Sequence, residues 1–155
     1  MIELPKLAIS IRQPWTHAIA QGWKPVENRV WYTNVRGPIC LHASRFHKAS
    51  WEDDVAGYRD LIEECEIAGA QLPDREELAF GCIIGTAEIV ACVSEHPSPW
   101  FVGPYAMVLA NARPLAEPIP IIGKLGFFEW RGREPKMKED PVAAVPAPPA
   151  QGSLF

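Results

Sequence analysis

Lys24, Glu27 and Arg29 bring two cations and one carboxylate into the run Gly22-Trp23-Lys24-Pro25-Val26-Glu27-Asn28-Arg29. The segment Val26 to Tyr32 is rich in β-branched and aromatic residues and reads as a strand. Its alternation places Glu27, Arg29 and Trp31 on one face. Opposite charges two residues apart on a strand readily form an ion pair, so Glu27 and Arg29 either hold a surface in shape or present it to a ligand. Charge along the chain favours a local basic site over a broad one. Residues 1–48 carry a net +5, residues 49–131 a net −9 and residues 132–155 a net of zero, giving −4 overall. A chain with a pI near 5.6 is unsuited to affinity built on neutralising many phosphates, yet it leaves room for a small basic pocket. Cys40, Cys65, Cys82 and Cys92 are irregularly spaced and form no C-x-x-C pair, so buried thiols are expected and no metal site or cofactor is implied.

The elements that must carry these residues follow from periodicity. Leu7 to Arg12 alternates apolar with small or polar residues and predicts a strand. Pro14 suits the first turn of a short helix over Trp15 to Ala20, and Gly22 is placed to stop it. After the Val26–Tyr32 strand, Arg36-Gly37-Pro38 turns the chain into a strand at Ile39 to Ala43, with Cys40 and His42 facing opposite to Ile39 and Leu41. From Ala49 to Ala70, Trp51, Val55, Tyr58, Ile62 and Cys65 recur at steps of three and four. This predicts an amphipathic helix with Trp51 in the core and Asp53, Asp54, Asp60, Glu63, Glu64 and Glu66 on its other face. Gly81 to Val93 is an apolar, β-branched strand bent or bulged at Gly85, with Glu88 as its one charge. Two further strands are expected at Tyr105–Ala110 and Ile119–Ile122, followed by the aromatic cluster Leu125 to Trp130.

Length and composition bound the architecture. A chain of 155 residues, 48% hydrophobic and 22% charged, can bury a core without metals or disulfides. No apolar run approaches the roughly 20 residues of a membrane span, and Met1 to Lys6 lacks the pattern of a secretory signal. An intracellular, cytoplasmic protein with no membrane partner is expected. Short strands around one short and one longer amphipathic helix predict an α+β, mainly β fold, a partly open β-barrel. The predicted domain spans residues 1–131. Residues 132–155 read as a disordered, Pro/Ala-rich tail.

Several blocks in order, Ser10-Ile11-Arg12-Gln13-Pro14-Trp15, the Gly22 to Arg29 run, Trp31, Arg36-Gly37-Pro38 and His42-Ala43-Ser44, resemble the ASCH domain (activating signal cointegrator homology) of the PUA-like superfamily. Ser98-Pro99-Trp100-Phe101-Val102-Gly103-Pro104-Tyr105 and Gly123-Lys124-Leu125-Gly126-Phe127-Phe128 resemble it too, including its small bacterial and prophage-encoded members. The resemblance implies a PUA-like barrel with a cleft that binds RNA, single-stranded nucleic acid or a modified base or nucleoside. Recognition of an exposed base needs aromatic faces and a few polar groups. Trp15, Trp31, Trp100 and Tyr105 can supply the faces; Arg12, Lys24 and Arg29 can hold phosphate or carbonyl oxygens. Glu27 can accept from an exocyclic amine or pair with Lys24 or Arg29. Gln13, His42 and Ser44 are further candidates for lining the cleft. Each also has a purely structural role open to it, Gln13 and Ser44 as backbone caps and His42 as a hydrogen-bonded barrel residue.

Some relatives in this family are N4-acylcytidine amidohydrolases using lysine, threonine and glutamate, and others are described as ribonucleases. The resemblance would make Lys24 the base, with Glu27 or Glu88 assisting. Where that branch has Lys-x-x-Thr, this chain has Lys24-Pro25-Val26-Glu27, so binding is the favoured expectation and hydrolysis the alternative. Gln151, Leu154 and Phe155 resemble the peptide by which bacterial replication and repair proteins dock on the sliding DNA clamp, with Gly152 in place of the favoured leucine.

Overall fold

The computed structural model describes residues 3–136. The strand Leu7–Ile11 (β1) is followed by the short helix Trp15–Ala20 (α1), which buries Thr16, Ala18, Ile19 and Ala20. Gly22 ends the helix at φ 84°, where only glycine is unstrained. Its amide donates to Ile19 O, and those of Trp23 and Lys24 donate to Ala18 O, folding Lys24 back under the helix. Then come Val26–Arg29 (β2), Gly37–Ala43 (β3), the helix Lys48–Glu64 (α2), a single 3-10 turn at Arg75–Glu77, and the strands Cys82–Val93 (β4), Tyr105–Pro120 (β5) and Phe127–Glu129 (β6).

The strands form one six-stranded sheet in the order β2-β5-β4-β3-β1-β6. β1 and β3 are parallel and every other pairing is antiparallel. The long β4–β5 ladder shifts register between Ile83 and Gly85, between Thr86 and Glu88, and between Ile89 and Ala91. Such bulges bend and twist a strand, and they curl this sheet into a half-barrel. Gly85 serves a close approach: a Cβ there would lie 2.6 Å from Arg113 O and 3.1 Å from Ala20 Cβ, so α1 seats on β4 because that side chain is absent. One face of the sheet buries Ile9, Ile11, Ile39, Leu41 and Ile89 with Ile19 of α1. The other buries Ala8, Cys40, Ile83, Ile121, Phe128 and Trp130. A third cluster joins Tyr58 of α2 to Ala18, Val26 and Trp100.

The mainly β, partly open barrel with one short and one longer helix is the expected architecture, and Cys40 and His42 do face opposite to Ile39 and Leu41. Four local expectations are corrected. The strand from Val26 ends at Arg29 instead of Tyr32, because β5 pairs with it only from Tyr105 to Val108. The two strands expected near Tyr105 and Ile119 are the ends of one bent strand, β5. α2 stops at Glu64, so Cys65 is exposed, while Cys40 is buried and Cys82 and Cys92 are half-buried, all four as free thiols. Trp51 is half-exposed instead of core. Of the expected tail, residues 132–136 are described, and Arg133 is tied to the domain: its amide donates to Trp130 O, its carbonyl accepts from Ile122 N, and its guanidinium donates to Ile122 O and Gly123 O. Residues 137–155, with Gln151, Leu154 and Phe155, lie outside the described residues. Among those described, no helix is long and apolar enough to cross a membrane.

Candidate nucleic-acid cleft

A cleft of about 800 Å³ opens between α2, the β1–α1 junction, β2 and the loop around Trp100. Its floor is the cation and carboxylate run. Lys24 and Glu27 are 3% and 7% exposed. Lys24 Nζ donates to Val26 O at 2.6 Å and to Glu27 Oε1 at 3.3 Å. Glu27 Oε2 accepts from Arg29 Nε at 3.1 Å, and Arg29 Nη2 also donates to Ser10 O at 2.7 Å. One carboxylate therefore bridges two cations, and Arg29 ties β2 to β1. Burial lowers the pKa of Lys24, opposed by the charge and hydrogen bond of Glu27. An ammonium has three donors and a guanidinium five. These contacts leave donors on both Lys24 and Arg29 without a partner among the described residues.

Aromatic rings form the walls. Trp15 packs at 5.3 Å from Tyr58 and edge-on to Trp100 at 6.5 Å, and the Lys24 ammonium lies 5.8 Å from its centroid. Trp31 keeps its place beyond the end of β2 by packing on Phe127, with the Arg29 guanidinium 5.4 Å from its ring. Trp51 and Phe80 stand 5.8 Å apart on the side of α2. Val30, Val102 and Leu125 form an apolar rim, 79%, 74% and 99% exposed. The lining carries Arg12, Lys24, Arg29 and Arg45 against Glu27 and Asp54, an excess of positive charge in a chain of net −4.

The structure brings Arg12, Gln13, Trp15, Lys24, Glu27, Arg29, Trp31, Ser44 and Trp100 to this cleft. Gln13 is held by the fold there, its amide nitrogen donating to Ala79 O and its carbonyl accepting from His17 N. His42 lies away from the cleft, buried on the opposite face of the sheet, with Nε2 on Ile121 O at 2.8 Å and Nδ1 on Ser10 Oγ at 3.2 Å. Tyr105 packs against Tyr32 outside the cleft lining. Glu88 is also elsewhere, accepting from Asn111 Nδ2 on the neighbouring strand.

Two positioning groups escaped the sequence pattern. Asn28 points away from Glu27 and secures the Trp100 loop, donating to Trp100 O and accepting from the amides of Val102 and Gly103. Asp54 was expected on the polar face of α2, yet its carboxylate takes Arg12 Nε at 2.6 Å and Nη2 at 3.1 Å. The signal for Asn28 was its place in the Glu-Asn-Arg run; Asp54, inside an acidic stretch, offered none. Among the described residues no group of His, Cys, Asp and Glu is placed to hold a metal ion.

The family model for the ASCH domain matches residues 9–145. The chain belongs to the ASCH domain family. Among curated proteins, human activating signal cointegrator 1 is 26% identical over 125 residues, covering 74% of this chain and 20% of that protein. The mouse protein of the same name is 29% identical over 89 residues, 56% of this chain and 14% of that protein. This ASCH domain thus spans about a fifth of the length of the human relative. Among solved structures, a variant of the ASCH protein of Zymomonas mobilis superposes with a TM-score of 0.50 at 16% identity, over 82% of this chain and 89% of that one. A second structure of the Zymomonas mobilis ASCH protein gives 0.43 at 18% identity, covering 74% and 72%. At 16% identity the likeness to the first of these concerns the fold alone.

Proposed function

We propose that the cleft binds one unstacked nucleotide of an RNA or other single-stranded nucleic acid. The observation that carries this reading is the Lys24–Glu27–Arg29 floor, where buried Lys24 and half-buried Arg29 share one carboxylate beneath aromatic walls. Donors left on Lys24 and Arg29 suit the carbonyl or phosphate oxygens of a nucleotide, and Trp15 and Trp31 offer faces for its base. The apolar rim of Val30, Val102 and Leu125 suits contact with neighbouring bases or sugars. An acidic chain with this small basic recess would contact few phosphates, so binding should favour single strands over duplex and depend weakly on salt.

Fluorescence anisotropy with a 5′-fluorescein-labelled mixed-sequence RNA hexamer, the matching DNA hexamer and a duplex tests this. The expected result is preference for single strands and loss of at least about tenfold in affinity for Arg29→Ala, the size of one charge-assisted contact. Equal affinity for duplex, or an Arg29→Ala variant that binds as wild type, would reject it.

A second reading, hydrolysis of a modified nucleoside or of RNA in the same cleft, is favoured by the lowered pKa of the buried Lys24 amine, which brings a lysine closer to the range of a general base. Glu27 occupies the place where threonine stands in the amidohydrolase pattern, and Glu88 lies away from Lys24. Conversion of N4-acylated cytidines or RNA, followed by mass spectrometry and lost in Lys24→Ala, would move the assignment to this reading. In either case Gln151, Leu154 and Phe155 would add a docking function toward the bacterial sliding clamp. Equal clamp retention by the full chain and by a version ending at Ala150 would remove it.

A further inference from the structure

Asp54 is 7% exposed on a helix whose neighbouring positions Glu52 and Asp53 face solvent. Burying a carboxylate costs far more than burying an apolar residue unless it is paired, so its presence on the inner side of α2 calls for a reason beyond holding the helix. Other contacts already hold α2. Tyr58 is buried against Trp15 and Trp100 and its hydroxyl donates to Ala70 O, while Trp51 packs on Phe46 and Phe80.

The geometry of the pair supplies the reason. Asp54 grips the Nε and Nη2 side of the guanidinium, and Nη1 has no hydrogen-bond partner among the described residues. The Arg12 side chain is 61% exposed while that of Asp54 is 9% exposed. The carboxylate thus lies beneath and the guanidinium lies in the cleft with its outer edge uncommitted. An arginine edge held in a fixed plane matches the paired oxygens of a phosphate. Arg45, exposed on the same lining and without an ion pair among the described residues, adds positive charge there.

We propose that Asp54 is a positioning residue that holds Arg12 so that the outer edge of its guanidinium receives a phosphate of the bound strand. The cleft would then select phosphate-bearing ligands over free nucleosides. This rests on reading the cleft as a nucleotide site. Arg12 reads the phosphate while the Lys24–Glu27–Arg29 floor reads the base.

The test is the salt dependence of binding of the labelled RNA hexamer to the full chain and to Arg12→Gln, Asp54→Asn, Asp54→Glu and the Arg12→Gln/Asp54→Asn double variant. Arg12→Gln and Asp54→Asn should each lower affinity about 5–10-fold and flatten the log–log salt slope by about 0.7, the value of one single-strand phosphate contact. Asp54→Asn should add nothing in the Arg12→Gln background, and Asp54→Glu should restore part of the slope. Affinity lost by Asp54→Asn with an unchanged slope, or lost equally with and without Arg12, would show a structural role and overturn the proposal. Tighter binding by Asp54→Asn would overturn it too, by showing that Asp54 competes for Arg12. If Arg29→Ala abolishes binding while Arg12→Gln leaves affinity and slope unchanged, the phosphate assignment alone falls. If the wild-type protein does not bind the hexamer, the cleft reading falls and this proposal with it.

Discussion

Two buried polar groups lie on opposite faces of one sheet and differ in what they leave unmet. On the face away from the cleft, His42 places one ring nitrogen on Ile121 O and the other on Ser10 Oγ, while Phe128 packs edge-on at 5.5 Å. Every polar atom of the imidazole is satisfied by the fold. On the cleft face, Lys24 and Arg29 share Glu27, and among the described residues donors remain over. Burial and polarity are common to both. What separates a candidate site from a polar piece of core is hydrogen-bonding capacity and charge that the fold leaves unmatched.

Substitutions on the two faces can break or sharpen this contrast. Glu27→Gln should have the largest effect, because it strands two cations at the cleft floor. A loss of about 3–5 kcal/mol in urea-induced unfolding is expected, with hexamer binding lost. His42→Leu leaves the Ser10 hydroxyl and the Ile121 carbonyl without their partner, and should cost about 1–3 kcal/mol while affinity per folded molecule stays at the wild-type value. Weakened binding in His42→Leu would erase the distinction between the faces. Lys24→Met turns the floor into a one-to-one Glu27–Arg29 pair of nearly unchanged volume. Its stability should fall by about 1–3 kcal/mol, because Val26 O and Glu27 Oε1 lose their donor, while affinity drops at least about tenfold. A strongly destabilised Lys24→Met would mean that the ammonium is structural.

The smallest effect is a pH slope. Burial lowers the pKa of His42 below its ordinary 6.5. The unfolded chain therefore takes up a proton first on acidification. Its contribution is fully present above pH 6.5, is lost as pH falls toward the folded value, and levels off below it. Urea titrations between pH 5 and 8 should show wild-type stability falling toward acid and a shallower fall in His42→Leu. The residual slope includes His17, whose pKa is also lowered, chiefly by burial. An identical slope in the variant would contradict the buried neutral imidazole.

Much of this was legible in the chain. Alternation over Leu7–Ile11 and Ile39–Ala43, the Gly22 stop and the spacing of Lys24, Glu27 and Arg29 are local properties, and each specifies its element or face through neighbours a few residues away. The long β5 was hidden because Pro114, Pro118 and Pro120 read as breaks and the stretch from Asn111 to Pro118 is largely exposed. Pairing with a bulged β4 makes it one strand. The end of α2 was overrun because Cys65 matches the helical period but is exposed instead of buried.

The sequence by itself determined the ASCH family, the half-barrel class and the cation–carboxylate run, since these depend on order and short-range periodicity. Only the tertiary structure decided which polar residues share a space. It sent His42 to the far face, Glu88 to Asn111 and Tyr105 to Tyr32, and it turned Asp54 inward to Arg12, 42 residues away. Helical periodicity could not foresee that last contact, because a carboxylate goes inside only where another element brings a cation to meet it.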